Sequence, residues 1–165
     1  MQGAHLFEGI AAIKEVRESQ SLMNTVAQCS NRSRSAFTSL CNCLQGGSEY
    51  NMFRQSVGSI RNRIAFHYSA GDIDWAIRDR TQRNNAQKSS MTAGQDVHST
   101  RFEFGDDLID SIVCRRLWKI PRHANARQEA DRIAGWCDKK ARHLIVFCAG
   151  FIPLFLDSHG VTSDA

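Results

Sequence analysis

The residues best suited to chemistry lie in one short stretch, Arg61-Asn62-Arg63-Ile64-Ala65-Phe66-His67-Tyr68. An imidazole titrates near neutrality and can transfer a proton, while a guanidinium can hold a phosphate through paired hydrogen bonds. RNA cleavage without a metal needs both groups: a base for the ribose 2′-hydroxyl, an acid for the leaving oxygen and a cation for the charge on phosphorus. His67 could supply one of the two proton transfers, and a second copy of the chain could supply the other.

A helix is predicted to position this stretch. Apolar residues recur at the spacing of one helical face, at Phe53, Val57, Ile60 and Ile64. His67 continues that buried face. On a regular helix Arg63 lies roughly 40° from His67, whereas Arg61 lies roughly 120° away. A distorted helix end or a partner chain must therefore bring Arg61 and His67 to one phosphate.

The residues after the motif predict the end of that helix. Gly71 suits the left-handed position that closes a helix, which leaves His67 in the last turn, where exposed carbonyls favour its protonated form. Asp72 is then expected to cap a following helix that runs to about Arg83.

Arg61, the polar Asn62 after it and His67 form an R-x5-H pattern that resembles the motif of the HEPN superfamily (higher eukaryotes and prokaryotes nucleotide-binding domains). The longer form RNRIAFHY, followed by an acidic helix, is similar to HEPN-like bacterial proteins of unassigned function. The resemblance implies a small all-α domain that forms a homodimer. Many members are metal-independent ribonucleases of toxin-antitoxin, phage-defence or RNA-processing systems, and others only bind.

The resemblance also implies roles for individual residues. His67 would be the general acid or base, Arg61 would hold the scissile phosphate and Asn62 would orient it. Arg63 and Tyr68 would be auxiliary contacts to the RNA. The expected partners are an RNA substrate, a second copy of the chain and a cognate antitoxin protein, and the implied reaction needs no cofactor or metal.

The same residues fit a second interpretation without catalysis. His67 could be a core or interface histidine, with Arg61 and Arg63 as solvated flanks of an apolar face. The protein would then be a helical dimerisation or protein-interaction module.

Composition and length predict one helical domain over residues 1–165. The chain has 42% hydrophobic residues, two prolines and a net charge of +4, which suits a helical bundle of about five to six helices that tolerates nucleic acid. A polar stretch at about 82–100 is expected to be a mobile loop, and residues 158–165 a disordered tail.

The other helices follow from apolar spacing. The first is expected from about Leu6 to Val16, with a continuation past Val26, and the second from about Ala36 to Leu44, before a Gly46-Gly47 loop. Two more are expected at about 106–117 and 126–156.

The run from Leu144 to Leu156 is the most apolar segment. It has about thirteen residues and contains Gly150 and Pro153, whereas a membrane span needs about 20. It therefore predicts a buried core helix with a kink at Pro153. No signal peptide is evident at the N-terminus, so a cytoplasmic location is expected.

Three further groups of residues have side chains that could form a site. Six cysteines lack the spacing of a zinc site and are expected to be reduced thiols. Asp106 and Asp110 share a helical face, but acidic residues at a helix start are favoured without any metal. The basic segment from Arg115 to Lys119, with Arg122 and His123, could contact a phosphate backbone while Trp118 stacks on a base; the alternative is a solvated helix end with Trp118 in the core.

Overall fold

The computed structural model describes residues 2–59, 70–82, 91–92, 101–102, 108 and 111–161. Within these ranges the chain folds into packed helices, which confirms the predicted all-α helical bundle. The described residues also form one short antiparallel pair of two-residue strands, β1 (Met91–Thr92) with β2 (Arg101–Phe102).

The helical elements follow one another along the chain. They are α1 (Gln2–Glu18), α2 (Gln20–Gln28), α3 (Asn31–Cys41), α4 (Tyr50–Phe53), a π-helical segment π1 (Arg54–Gly58), α5 (Ala70–Gln82), a second π-helical segment π2 (Ile112–Leu117) and α6 (Ala126–Ser158). The last helix therefore covers the whole of the expected 126–156 region and ends two residues beyond it.

The first predicted helix is divided in two. Ser19 adopts an extended conformation between α1 and α2, and its side chain accepts a hydrogen bond from the backbone nitrogen of Leu22. A serine hydroxyl that satisfies a free amide in this way favours the start of a new helix. The expected continuation past Val26 therefore belongs to α2, not to the first helix.

Ser30 starts α3 in the same manner, by accepting a hydrogen bond from the backbone nitrogen of Ser33. The helix ends at Cys41, so Leu44 lies in the following turns and not in the helix. Gly46 has φ 84°, a left-handed conformation that a glycine adopts without strain. The expected loop at Gly46-Gly47 is thus confirmed, while the helix before it is shorter than expected.

The main core lies between α1, α3 and α6. The inward face of α1 is buried, at Leu6, Ile10, Ile13 and Val16. Phe147 of α6 lies 5.1 Å from Phe37 of α3 and 5.0 Å from Phe151, between ring centroids. The apolar faces of these three helices therefore pack against one another and form one shared core.

Only one face of α6 is buried. Phe147 and Phe151 lie in the core, but Ile145 is 67% exposed and Ile152 is 48% exposed. The expectation of a buried core helix is therefore wrong for the opposite face, because α6 has neighbours on one side alone among the described elements. By length and composition alone, α6 could cross a membrane: the mean hydropathy of one 18-residue window of the helix is 1.4. Only 11% of that window is buried inside the protein.

A smaller cluster joins α5 to π2. Ala76, Ile112 and Leu117 are buried in it, with Trp75, Leu108 and Trp118 packed around them. Trp118 links this cluster to the rest of the molecule by donating a hydrogen bond from Nε1 to the carbonyl oxygen of Ser56, at 3.4 Å.

Candidate nucleic-acid interface

The residues expected to carry the chemistry, Arg61, Asn62, Arg63, His67 and Tyr68, lie outside the described residues. The described chain ends at Ser59 before them and resumes at Ala70 after them. What the structure does provide is the surroundings on both sides of this segment.

The apolar face that leads into the motif is confirmed where it is described. Phe53 is 7% exposed and Val57 is 1% exposed. Between them the chain is π-helical, and the backbone nitrogen of Ser59 donates to the carbonyl oxygen of Arg54, five residues back. A π-helical turn contains an extra residue, so the backbone between Phe53 and Val57 departs from the regular helix on which their apolar spacing was based.

On the other side of the motif, Asp72 has a different role from the expected one. The helix α5 already begins at Ala70, so Asp72 lies in its first turn. Its carboxylate is 2.8 Å from Nε of Arg116, and Arg116 also donates to the carbonyl oxygen of Gly71 at 2.8 Å. Asp72 therefore holds an arginine of π2 against the start of α5.

A pocket of about 750 Å³ opens beside Ser59, where the described chain reaches the motif. Below it is called the basic pocket, and it is lined by Phe7, Tyr50, Asn51, Phe53, Arg54, Gln55, Gly58, Ser59, Arg116, Leu117 and Lys119. Three of these side chains are cationic and none is a carboxylate. The pocket is therefore a concave site for an anion with apolar or aromatic parts.

The arginine side chains of the basic pocket come from two segments of the chain. Arg54 comes from π1, and its guanidinium carbon lies 5.8 Å from the ring centroid of Tyr50. Arg116 comes from π2 and lies 5.6 Å from the ring centroid of Trp75. Contact with an aromatic face and with Asp72 restricts these guanidinium groups before any ligand binds.

Lys119 lies at the edge of the basic pocket in a strained conformation. Its φ is 55°, a left-handed value that non-glycine residues seldom adopt. The turn is held by Arg115, which donates to the carbonyl oxygens of Ile120 at 3.1 Å and Pro121 at 2.7 Å. Strain of this kind is often retained at binding sites, and here it presents the lysine beside Arg116.

The basic segment from Arg115 to Lys119 thus divides its residues between two functions. Arg116 and Lys119 line the pocket, whereas Arg115 stabilises the turn. Trp118 is partly buried and packs against the α5–π2 cluster, as the core interpretation predicts. Arg122 pairs with the buried Asp79 at 2.6 Å, and His123 is exposed. Three aromatic side chains line the basic pocket instead, Phe7, Tyr50 and Phe53. Sequence reasoning did not single out Tyr50 because it lies about 66 residues before Arg116 in the chain.

A second group of polar residues lies between α3, α4 and α6. Lys140 donates to the carbonyl and hydroxyl oxygens of Ser39, both at 2.9 Å, and pairs with Glu49. His143 Nδ1 is 2.8 Å from the same hydroxyl oxygen, and Trp136 donates to Glu49 at 2.8 Å. We call these five residues the Lys140 cluster.

The Lys140 cluster contains a serine, a lysine and a histidine, but its geometry favours structure over catalysis. An ammonium has three protons, and all three of those on Lys140 are directed at Ser39 and Glu49. Lys140 therefore has no lone pair with which to activate Ser39. Neither the basic pocket nor the cavities described below are lined by Ser39.

The six cysteines all lie in the described part of the chain and form no disulfide bonds. Burial raises the pKa of Cys43 to about 11, because the charge of nearby Lys140 offsets the loss of water only in part. Burial likewise raises the pKa of Cys29, Cys41, Cys137 and Cys148. These thiols stay protonated at neutral pH and are therefore poor nucleophiles.

Within the described ranges, no three His, Cys, Asp or Glu side chains are close enough to hold a metal ion. Asp106 and Asp110, weighed as carboxylate ligands, lie outside those ranges.

Comparison of this chain with protein-family models, with curated proteins and with solved structures finds no match. The HEPN resemblance therefore rests on the sequence alone, on the residues from Arg61 to Tyr68 and the acidic helix after them.

Proposed function

We propose that the protein binds RNA in the basic pocket and cleaves it without a metal, through the segment that contains Arg61 and His67. One observation carries this proposal: the pocket brings Arg54, Arg116 and Lys119 together beside Ser59, at the point where the chain enters that segment. Phosphate contacts by arginine and lysine supply most of the affinity of proteins for nucleic acids.

The roles within the reaction follow from side-chain chemistry. His67 transfers a proton to or from the reacting oxygens, and Arg61 stabilises the charge that develops on phosphorus. Asn62 orients the phosphate, while Arg63 and Tyr68 make auxiliary contacts. The cations of the basic pocket hold the neighbouring part of the strand, so that binding energy positions the reacting phosphate.

The experiment is a cleavage assay on end-labelled total RNA with excess EDTA. Wild-type protein is compared with His67→Ala and Arg61→Ala, each checked for helicity by circular dichroism. We expect each variant to lose about 100-fold or more of the cleavage rate. Full activity of His67→Ala would contradict the catalytic assignment. A larger loss for Arg63→Ala than for Arg61→Ala would transfer the phosphate contact to Arg63.

A second pair of variants tests the contribution of the basic pocket to RNA binding. Arg54→Gln removes a pocket charge but keeps much of the side-chain length, and we expect it to weaken RNA binding measured by fluorescence anisotropy. Arg127→Gln removes an exposed charge from the first turn of α6 and should bind as the wild type does. Equal binding by both variants and the wild type would contradict the role of the pocket.

A second candidate function is dimerisation or protein interaction through α6. An exposed apolar surface runs along this helix, formed by Leu144, Ile145, Cys148, Ala149, Ile152 and Pro153. We call it the apolar α6 face. Ile145 and Ile152 are one heptad apart, so an antiparallel copy of the helix could pair each isoleucine with the other across a two-fold axis.

This second candidate is tested by the molar mass in solution, measured by light scattering after size-exclusion chromatography. We expect a dimer that Ile145→Lys converts to a monomer. Ile77→Lys changes an isoleucine of α5 that is 42% exposed and should leave the dimer intact. A wild-type monomer would overturn the proposal for this face, whereas a dimer that binds no RNA would favour the interaction module over the nuclease.

As a nuclease the protein would belong to a toxin or defence system in the cytoplasm, with a cognate antitoxin as its partner. Expression should then arrest bacterial growth, and His67→Ala should relieve the arrest. An interaction module predicts no effect on growth.

A further inference from the structure

A second pocket adjoins the basic pocket across a wall of aromatic side chains. It has a volume of about 540 Å³ and is called the α1 pocket below. Phe7, Tyr50 and Phe53 line both pockets. Phe7 and Phe53 are stacked with their ring centroids 5.8 Å apart, and Phe53 is buried, so the wall is supported by the core.

The α1 pocket also carries cations at its rim. Lys14 and Arg17 of α1 line it above an apolar floor formed by Ile10 and Leu44. The single carboxylate in its lining, Glu18, lies 3.8 Å from Lys14 in a pair that is about 60% exposed. Because an exposed pair of this kind is weak, Lys14 can exchange Glu18 for a phosphate with little loss, and Arg17 adds a further positive charge.

Cations therefore lie on both sides of one aromatic wall. Proteins that bind single-stranded nucleic acid combine a positive groove along the backbone with aromatic side chains on which bases stack. Phe7 and Tyr50 are the partly exposed members of the wall, and both lie between the two groups of cations.

The dimensions of the two pockets also bear on the class of ligand. Each has the volume of a site for a small molecule, which is about 300 to 1,000 Å³. Double-stranded RNA is instead recognised across its broad minor groove, over about 16 base pairs. Two small concave pockets in series fit separate, unstacked nucleotides.

We propose that the basic pocket and the α1 pocket form one groove for single-stranded RNA, which crosses Tyr50. Arg17 and Lys14 contact the backbone on one side of the tyrosine, and Arg54, Arg116 and Lys119 contact it on the other. A base stacks on the Tyr50 ring. This inference rests on the proposed function and specifies its substrate as an unpaired strand.

The test is fluorescence anisotropy with a labelled single-stranded RNA and with a blunt RNA duplex of equal length, over a series of salt concentrations and with excess EDTA. His67→Ala protein is used so that the RNA stays intact. We expect the single strand to bind about tenfold or more tightly than the duplex. Arg17→Gln should lower the slope of log affinity against log salt by about 0.7, the value for one phosphate contact on a single strand.

Substitutions of Tyr50 test whether a base stacks on its ring. Tyr50→Leu should weaken binding about tenfold, while Tyr50→Phe, which retains the ring, should bind as the parent protein does. Arg32→Gln, an exposed charge on α3 outside both pockets, is the matched control for Arg17→Gln and should leave the slope unchanged.

The possible failures are distinguishable. If Arg54→Gln weakens binding but Arg17→Gln does not, the two-pocket groove is wrong and the proposed function stands. If the duplex binds as tightly as the single strand, or more tightly, the two-pocket groove is likewise wrong and the proposed function still stands. If Tyr50→Phe is as weak as Tyr50→Leu, the stacking role is wrong. If the folded protein binds neither RNA, the proposed function itself is overturned.

Discussion

Lys140 is a charged side chain with only 3% of its surface exposed. A buried ammonium is tolerated when its protons are all hydrogen-bonded and its charge is paired, and Ser39 and Glu49 meet both conditions here. Because these acceptors belong to α3 and to the turn before α4, the Lys140 cluster fastens two segments to α6. None of the five residues of the cluster lines either pocket, so we expect the loss of its contacts to change mainly the stability of the protein.

Lys140→Met should lower the free energy of unfolding by about 2 kcal/mol. Removing one partner of a buried pair typically costs about 3 to 5 kcal/mol, and the loss is smaller here because the side chain of Glu49 is 30% exposed. Urea unfolding followed by circular dichroism measures the change. Lys139→Met, at the exposed neighbouring position, is the control. If the two variants are equally stable, the pair of Lys140 and Glu49 contributes nothing to stability.

His143 gives the Lys140 cluster a dependence on pH. Burial, together with the positive charges of Lys140 and Lys139, lowers the pKa of His143 below its ordinary value of 6.5. Since Lys140 donates to the hydroxyl oxygen of Ser39, the hydroxyl hydrogen is favoured to point to Nδ1 of a neutral imidazole. The folded protein therefore binds fewer protons here than the unfolded chain does as the pH falls through 6.5.

The contribution of His143 to stability should be complete above the unfolded pKa of 6.5 and should be lost progressively as the pH falls below it towards the lower pKa of the folded protein. Urea unfolding at a series of pH values measures this slope. His143→Gln should flatten it, whereas His123→Gln, at an exposed position, should not. Glu49 adds a separate loss at lower pH: burial opposes the shift, but hydrogen bonds from Lys140 and Trp136 lower the pKa of Glu49 below 4.5.

At the scale of the elements, close packing of α6 depends on glycine. A Cβ atom added to Gly150 would lie 2.2 Å from Oγ and 3.0 Å from Cβ of Ser33 on α3. Ser33 is itself buried and donates to the carbonyl oxygen of Val146 at 3.4 Å, so it has little room to move. The approach of α3 to α6, and with it the position of the Lys140 cluster, requires a residue without a side chain at position 150.

Gly150→Ala should destabilise the protein by about 1 to 3 kcal/mol, as overpacking of a core does. Gly135→Ala is the matched control on the same helix, because no atom lies within 4 Å of the added Cβ. It should stabilise the protein by about 0.4 to 1 kcal/mol, since alanine restricts the unfolded chain. Thermal unfolding of the two variants measures the difference, and a Gly150→Ala protein as stable as the control would contradict this account of the packing.

At the scale of the whole molecule, two apolar clusters that differ greatly in size among the described residues both contribute to the basic pocket. Phe7 and Phe53 belong to the large core of α1, α3 and α6, whereas Leu117 belongs to the small α5–π2 cluster. Local stability follows the extent of apolar packing. The small cluster should therefore open more readily, and a ligand in the pocket should hold it against the large core.

Amide hydrogen exchange tests this expectation. Backbone amides of α5 and π2 should exchange faster than those in the middle of α3 and α6 in the free protein. Single-stranded RNA should slow exchange in π2, because the ligand stabilises the closed form of the elements it contacts. Exchange in π2 that is unchanged by saturating RNA would contradict ligand binding by Arg116 and Lys119.

The sequence by itself determined the helical class, the buried face of α1 and the extent of α6. These features follow from apolar residues repeated over short distances, and such spacing acts within a single helix. Capping serines at positions 19 and 30 were also available as local signals. They mark the starts of α2 and α3 more closely than apolar spacing did.

Only the tertiary structure decided the candidate site and the cluster beside it. Tyr50 meets Arg116, and Lys140 meets Ser39 and Glu49, across long separations in the chain, and no local pattern encodes which helices become neighbours. The same reason explains Trp118, for which the sequence allowed either a core or a base-stacking role until its position against α5 was known. The exposed side of α6 is a further case, since apolar composition predicts burial and only the arrangement of neighbouring helices shows which face is left open.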